Sequence, residues 1–140
     1  ADHCASSAGK TSIPVDKYHI PAIVYSPGFI QPRRVEKLCS QIDLMPTIFS
    51  LLHFSYDSKF YGRDILAPDY NQRAFMATYQ DLGYYSDDVL TVLSPVRRIR
   101  QFDVRETGPW SHTETPKETP ADSLGREAQA FYQTVNLKPW

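Results

Sequence analysis

No apolar run in the chain is long enough to cross a bilayer, and no basic-then-apolar leader opens it. Neither a membrane span nor a signal segment is therefore read from these residues. Net charge is nearly absent as well, since fifteen basic residues against sixteen acidic ones leave −1. A balance that close creates no global field, which sets nucleic acid and an anionic membrane aside as partners of the surface as a whole. Cysteine is scarce: Cys4 and Cys39 allow one disulfide without requiring it, and free buried thiols are the simpler reading. There is no internal repeat, and low complexity is confined to one Thr/Pro/Glu stretch. The chain also lacks an initiating Met and begins abruptly on a candidate functional dipeptide, which is easier to understand in a piece of a longer protein.

What is present suits a globular fold. The 140 residues are 41% apolar and 13% aromatic, about one domain in size and long enough for a real core. Eleven prolines and nine tyrosines predict a loop-rich, irregular structure. Residues 4–19 have loop composition. Ile20-Pro21-Ala22-Ile23-Val24-Tyr25, stopped by Ser26-Pro27-Gly28, reads as a strand buried on both faces because no polar residue alternates. Asp43 can cap a helix from Leu44, with Pro46 in its first turn and Leu44, Ile48, Leu51 and Leu52 on one core-facing side over about three turns. Gly62-Arg63-Asp64 reads as a turn. Strands are expected over 74–79, 89–93 and 99–104, as a small antiparallel meander with 81–88 as a connection. Residues 107–120 read as a linker or surface loop, and 122–137 as a helix with Leu124, Ala128, Phe131, Tyr132 and Val135 at helical spacing. Strand, loop and helix together predict an α/β fold in a single partial domain over 1–140.

The residues with chemistry begin at the first positions. Asp2 and His3 offer a carboxylate oxygen and an imidazole nitrogen, a donor pair suited to a divalent metal. Lys10 follows Gly9 in a polar loop and reads either as a solvated lysine or as a point charge for an anion. His19, just before the apolar run, reads either as a group facing the same site or as a cap on the strand edge. Arg33-Arg34 and Arg97-Arg98-Ile99-Arg100 read as solvated faces, with anionic head groups or a polyanionic product as the alternative. His53 and His112 have no partner in the sequence and receive no role.

The order of these motifs is informative. Asp2-His3, the stretch from Tyr18-His19-Ile20-Pro21 to Pro27-Gly28, then Asp43-Leu44-Met45-Pro46-Thr47 and Gly62-Arg63-Asp64-Ile65-Leu66, resembles the C-terminal portion of the sulfatase branch of the alkaline phosphatase superfamily. Within it, the Ala-Asp-His-Cys start and the run from Lys17 to Pro21 resemble membrane-anchored phosphoglycerol transferases of the lipoteichoic acid synthase-like kind, in their Gram-negative form. Motifs carry the resemblance over 1–66, and element order alone carries it over 67–140.

The resemblance implies an alkaline phosphatase-like fold and a divalent metal, manganese or magnesium, with calcium or zinc as alternatives. Asp2 and His3 would be metal ligands, and Lys10 and His19 substrate contacts. Cys4 fits neither a ligand nor a nucleophile in this family. The substrate would be a phospholipid-derived or other phosphate or sulfate ester. The nucleophile and a further acidic ligand would come from an upstream part of the same protein, together with membrane helices that hold the enzyme on the extracytoplasmic or periplasmic face. Two ligands fall short of the three that a catalytic metal site takes, so the chain by itself is expected to be inactive and to bind metal weakly or not at all. A true sulfatase and a non-catalytic envelope-binding module are the rival readings.

Overall fold

Helical spacing and strand alternation converge on one antiparallel sheet. The structure, a computed structural model, describes residues 13–137. It forms an α/β fold with helices α1 (Leu44–Leu51) and α2 (Asp122–Leu137) and strands β1 (Ala74–Ala77), β2 (Leu82–Ser86), β3 (Val89–Ser94), β4 (Arg98–Gly108) and β5 (Ser111–Pro116). The strands lie in sequence order in a five-stranded sheet. Two compact units result, one from the described residues 13–31 and 75–137, the other from 32–74.

In the first unit the sheet is covered on both faces. β3 is central, and its first four residues, Val89 to Val92, are all buried. On one face Tyr84, which pairs with Thr91, meets Val89, Leu124 and Ala128, with Phe75 and Phe131 packed beside them. On the other face Gly83, which pairs with Val92, lies under Ile13. A Cβ there would stand 3.2 Å from the Ile13 Cδ1, so the missing side chain makes room for Ile13. Each fully buried aliphatic such as Leu90 contributes about 1.5–3 kcal/mol. Gln101 on β4 fixes the start of α2: its Nε2 donates to the Ala121 carbonyl at 2.9 Å, and its Oε1 accepts from the Ala121 N–H at 2.6 Å. Tyr132 reaches back from α2 to the carbonyls of Met76 (3.2 Å) and Gly83 (2.9 Å), and burial pushes its hydroxyl up to about 12, which keeps it a donor.

The second unit is organised around a carboxylate. Asp43 is wholly buried, and its oxygens accept from the Ser40 N–H at 2.9 Å, the Arg63 N–H at 2.8 Å, the Tyr70 hydroxyl at 2.8 Å and both terminal nitrogens of Arg73 at 3.0 and 3.2 Å. Arg73 spends a further donor on the Tyr61 carbonyl at 3.1 Å. Thr47 donates to the Asp43 carbonyl at 2.7 Å and accepts from the Ile65 N–H at 3.0 Å.

Several expectations are corrected. Residues 20–25 form no strand and are mostly exposed, with Ile23 at 90% and Tyr25 at 83%, because no strand pairs with them among the described residues. The expected connection 81–88 holds β2, whose Gly83 serves close packing rather than a turn. The expected loop 107–120 holds β5, where Ser111, Thr113 and Thr115 face solvent along an edge and the backbone pairs with β4. α1 has eight residues, and its buried side is Pro46 and Thr47 rather than the leucines. Asp43 makes no side-chain cap bond to α1. It closes a capping box with Ser40 around the preceding 3-10 turn, Gln41–Asp43. Cys39 is a free thiol and is exposed rather than buried.

Candidate functional site

The segment that follows the N-terminal motif is clamped onto the β4–β5 hairpin. Pro14 leads into a 3-10 turn, Val15–Lys17, whose Val15 is buried. The Val15 N–H donates to Glu114 Oε1 on β5 at 2.7 Å, and the Tyr18 hydroxyl donates to the Ala77 carbonyl at 2.9 Å. Held in this way, Asp16 places its carboxylate 2.7 Å from His112 Nδ1, although 96 residues separate the two.

His19 completes the cluster. Its ring lies 4.2 Å from the Trp110 ring, centroid to centroid with a 36° tilt, and 5.9 Å from the His112 ring. Trp110 occupies the β4–β5 turn at φ 66°, a left-handed conformation costly for a bulky residue, and remains half-exposed. Glu106 lies opposite His112 in the hairpin register. Partial burial lowers the proton affinity of His19, and the neighbouring His112 lowers it further, while Asp16 and Glu106 oppose the shift. An exposed imidazole kept neutral in this way can accept a proton or a hydrogen bond from a hydroxyl, or donate one to an ester oxygen.

The sign of the resulting pH dependence follows from the lowered value. In the unfolded chain His19 would titrate near its ordinary value of 6.5, and in the fold below it. The folded state therefore binds fewer protons in that window. The contribution of His19 to stability is present above about pH 6.5 and is lost as pH falls through the folded value. Imidazole NMR titration should give a His19 midpoint below 6.5, and His112→Gln should move it upward by removing a positive neighbour. A midpoint unmoved by His112→Gln would mean that the imidazoles do not sense each other.

Of the residues expected to form a site, His19 is placed here, whereas Asp2, His3 and Lys10 lie outside the described residues. Among the described residues no group of three or more His, Cys, Asp or Glu is arranged to hold a metal ion. The structure adds Asp16, Trp110 and His112, which no sequence pattern marks, because their meeting depends on β5 pairing with β4. His53 is exposed just after α1 at φ 56°.

The second unit carries an open cleft of about 450 Å³, lined in part by Pro46, Phe54, Tyr56, Phe60 and Arg63. Its aromatic wall is a satellite cluster in which Phe49 meets Phe54, Tyr56 and Phe60 at ring distances of 5.6, 5.1 and 6.3 Å.

Two likenesses accompany this geometry. A sulfatase family model matches residues 1–54. A crystal structure of a protein in the alkaline phosphatase superfamily from Vibrio parahaemolyticus is similar at 29% identity and a TM-score of 0.79, over 99% of this chain and 35% of that protein. The chain therefore spans about a third of the length of that solved relative.

Proposed function

We propose, on the premise that the chain is a piece of the sulfatase/alkaline phosphatase superfamily, that it is the C-terminal part of a metal-dependent phosphoglycerol or phosphoethanolamine transferase acting on a cell-envelope glycolipid or glucan. The observation that carries this reading is the placement of Asp2-His3 and Tyr18-His19-Ile20-Pro21 inside the 54 residues that match the sulfatase model. A second supports it. The apolar run 20–25, rich in residues that favour strands, forms no strand and leaves Ile23 and Tyr25 exposed, as a segment would whose covering belongs to an upstream part of the same protein.

In this reading Asp2 and His3 would hold a divalent metal, manganese or magnesium, together with ligands supplied upstream. Bound there, the metal would stabilise charge on the transferring group and lower the proton affinity of the nucleophile. Lys10 would offer a positive charge to the ester oxygens. His19, kept neutral and backed by Trp110, His112 and Asp16, would hydrogen-bond the donor or acceptor head group. The nucleophile would come from the upstream part, and the site would face the periplasm or cell exterior, held at the membrane by upstream helices.

The test uses the whole protein. Manganese-dependent release of the head group from a phosphatidylglycerol analogue is expected, falling by about 100-fold or more in Asp2→Ala and His3→Ala. Cleavage of an aryl sulfate in its place would establish the sulfatase. A whole protein that turns over neither ester would leave the non-catalytic envelope-binding module.

A further inference from the structure

The turns of the sheet are unequal. A meander sends alternate turns to opposite ends, so the β1–β2 and β3–β4 turns share one end, two strand spacings or roughly 10 Å apart. The β2–β3 turn, at the other end, is Asp87-Asp88 at φ 51° and 57° between paired Ser86 and Val89. That is a two-residue hairpin turn built from residues that tolerate the left-handed region. The β3–β4 turn adopts the same region at Val96 (φ 64°) and Arg97 (φ 57°). Neither residue suits it, and a β-branched valine there is a genuine outlier.

The strained turn presents its side chains fully. Val96 is 97% exposed, and on the adjacent β1–β2 turn Tyr79 is 101% exposed. Arg97 and Arg98 are exposed, and neither has an ion pair among the described residues. Asp81, beside the β1–β2 turn, is taken up by Arg100 at 3.1 Å. Arg97 and Arg98 thus flank two isolated apolar tips with positive charge, while the β2–β3 turn at the opposite end carries Asp87 and Asp88.

We infer that the end of the sheet formed by Tyr79, Val96, Arg97 and Arg98 docks on an anionic lipid bilayer. Charge complementarity selects an anionic surface. The shape selects a bilayer over a protein, because two narrow prongs cannot supply the roughly 800 Å² that a stable protein contact takes from each partner. Prongs of this kind fit between head groups, with tyrosine at the polar–apolar boundary and arginines on lipid phosphates. This surface is independent of the transferase reading.

The test is co-sedimentation of the 140-residue chain with phosphatidylcholine vesicles, with and without phosphatidylglycerol. Binding is expected to require phosphatidylglycerol and to weaken with salt. Arg97→Gln with Arg98→Gln should lower it by about 25-fold, near fivefold per arginine. Val96→Gly should weaken it too, while its melting temperature holds or rises because glycine accepts the left-handed turn, which separates lost docking from lost folding. Equal binding to vesicles with and without phosphatidylglycerol would overturn the inference, as would an unaffected double arginine variant. Binding to a soluble polyanion as tight as to vesicles, indifferent to Val96→Gly, would also overturn it in favour of a polyanion contact.

Discussion

Asp43→Ala is expected to destabilise the chain by about 3–5 kcal/mol, the largest loss from any single side chain named here. The carboxylate is wholly buried, and it meets a guanidinium whose own side chain is only 3% exposed. Removing it leaves Arg73 charged and dry, facing neutral acceptors, the Tyr61 and Asn71 carbonyls and the Tyr70 hydroxyl. It also orphans the N–H groups of Ser40 and Arg63 and the Tyr70 hydroxyl. That hydroxyl is pushed far above its ordinary value by burial and by Asp43, so it stays protonated and cannot relieve the charge on Arg73. Asp43→Asn should also cost several kcal/mol, because an amide presents one acceptor atom where the site uses two. The pair Asp43→Leu with Arg73→Met should recover part of the loss but not all. The charge is then gone, yet two backbone donors remain without partners. Urea unfolding of the parent chain, Asp43→Leu, Arg73→Met and the pair measures this as a coupling energy. Full recovery in the double variant would mean that the backbone donors find water.

The same residues show what the sequence can and cannot reveal. α2 is legible to its ends because Leu124, Ala128 and Phe131 recur at the helical period over a long segment. β3 is legible as an apolar β-branched run. β2 is hidden because Gly83 and the flanking aspartates imitate a turn, and β5 is hidden because an edge strand can be polar throughout. The run 20–25 shows the opposite failure. Its composition records burial that a strand gains from flanking strands, yet the run lies in no strand and 21–25 are exposed. Asp43 was legible as the start of something, though its role is to fasten a loop twenty residues on. The cluster of Asp16, His19, Trp110 and His112 has no local signature, since Trp110 and His112 come within reach only when β5 folds back on β4.

Gly62→Ala is expected to cost about 3 kcal/mol, the upper part of the range for an overpacked interior. A Cβ at this position would stand 1.9 Å from the Ile42 carbonyl oxygen and 2.5 Å from its carbon. Both are backbone atoms, so no side chain can swing aside, and one of the two segments must move. Ile42 immediately precedes Asp43, and Arg63 immediately follows Gly62. The shift therefore stretches the 2.8 Å bond from the Arg63 N–H to Asp43 and draws on the 3.0 Å bond from the Ile65 N–H to Thr47. Asp43 and Thr47, the polar ends of the Asp-Leu-Met-Pro-Thr stretch, thus grip 63–65, and the close approach at Gly62 lets that grip form. Because one contact is lost by two routes, Gly62→Ala in the Asp43→Ala background should cost well under 3 kcal/mol. Denaturant midpoints for the two single variants and the double one decide the point. Simple additivity would show that Gly62 acts through packing alone and not through the bonds that Asp43 collects.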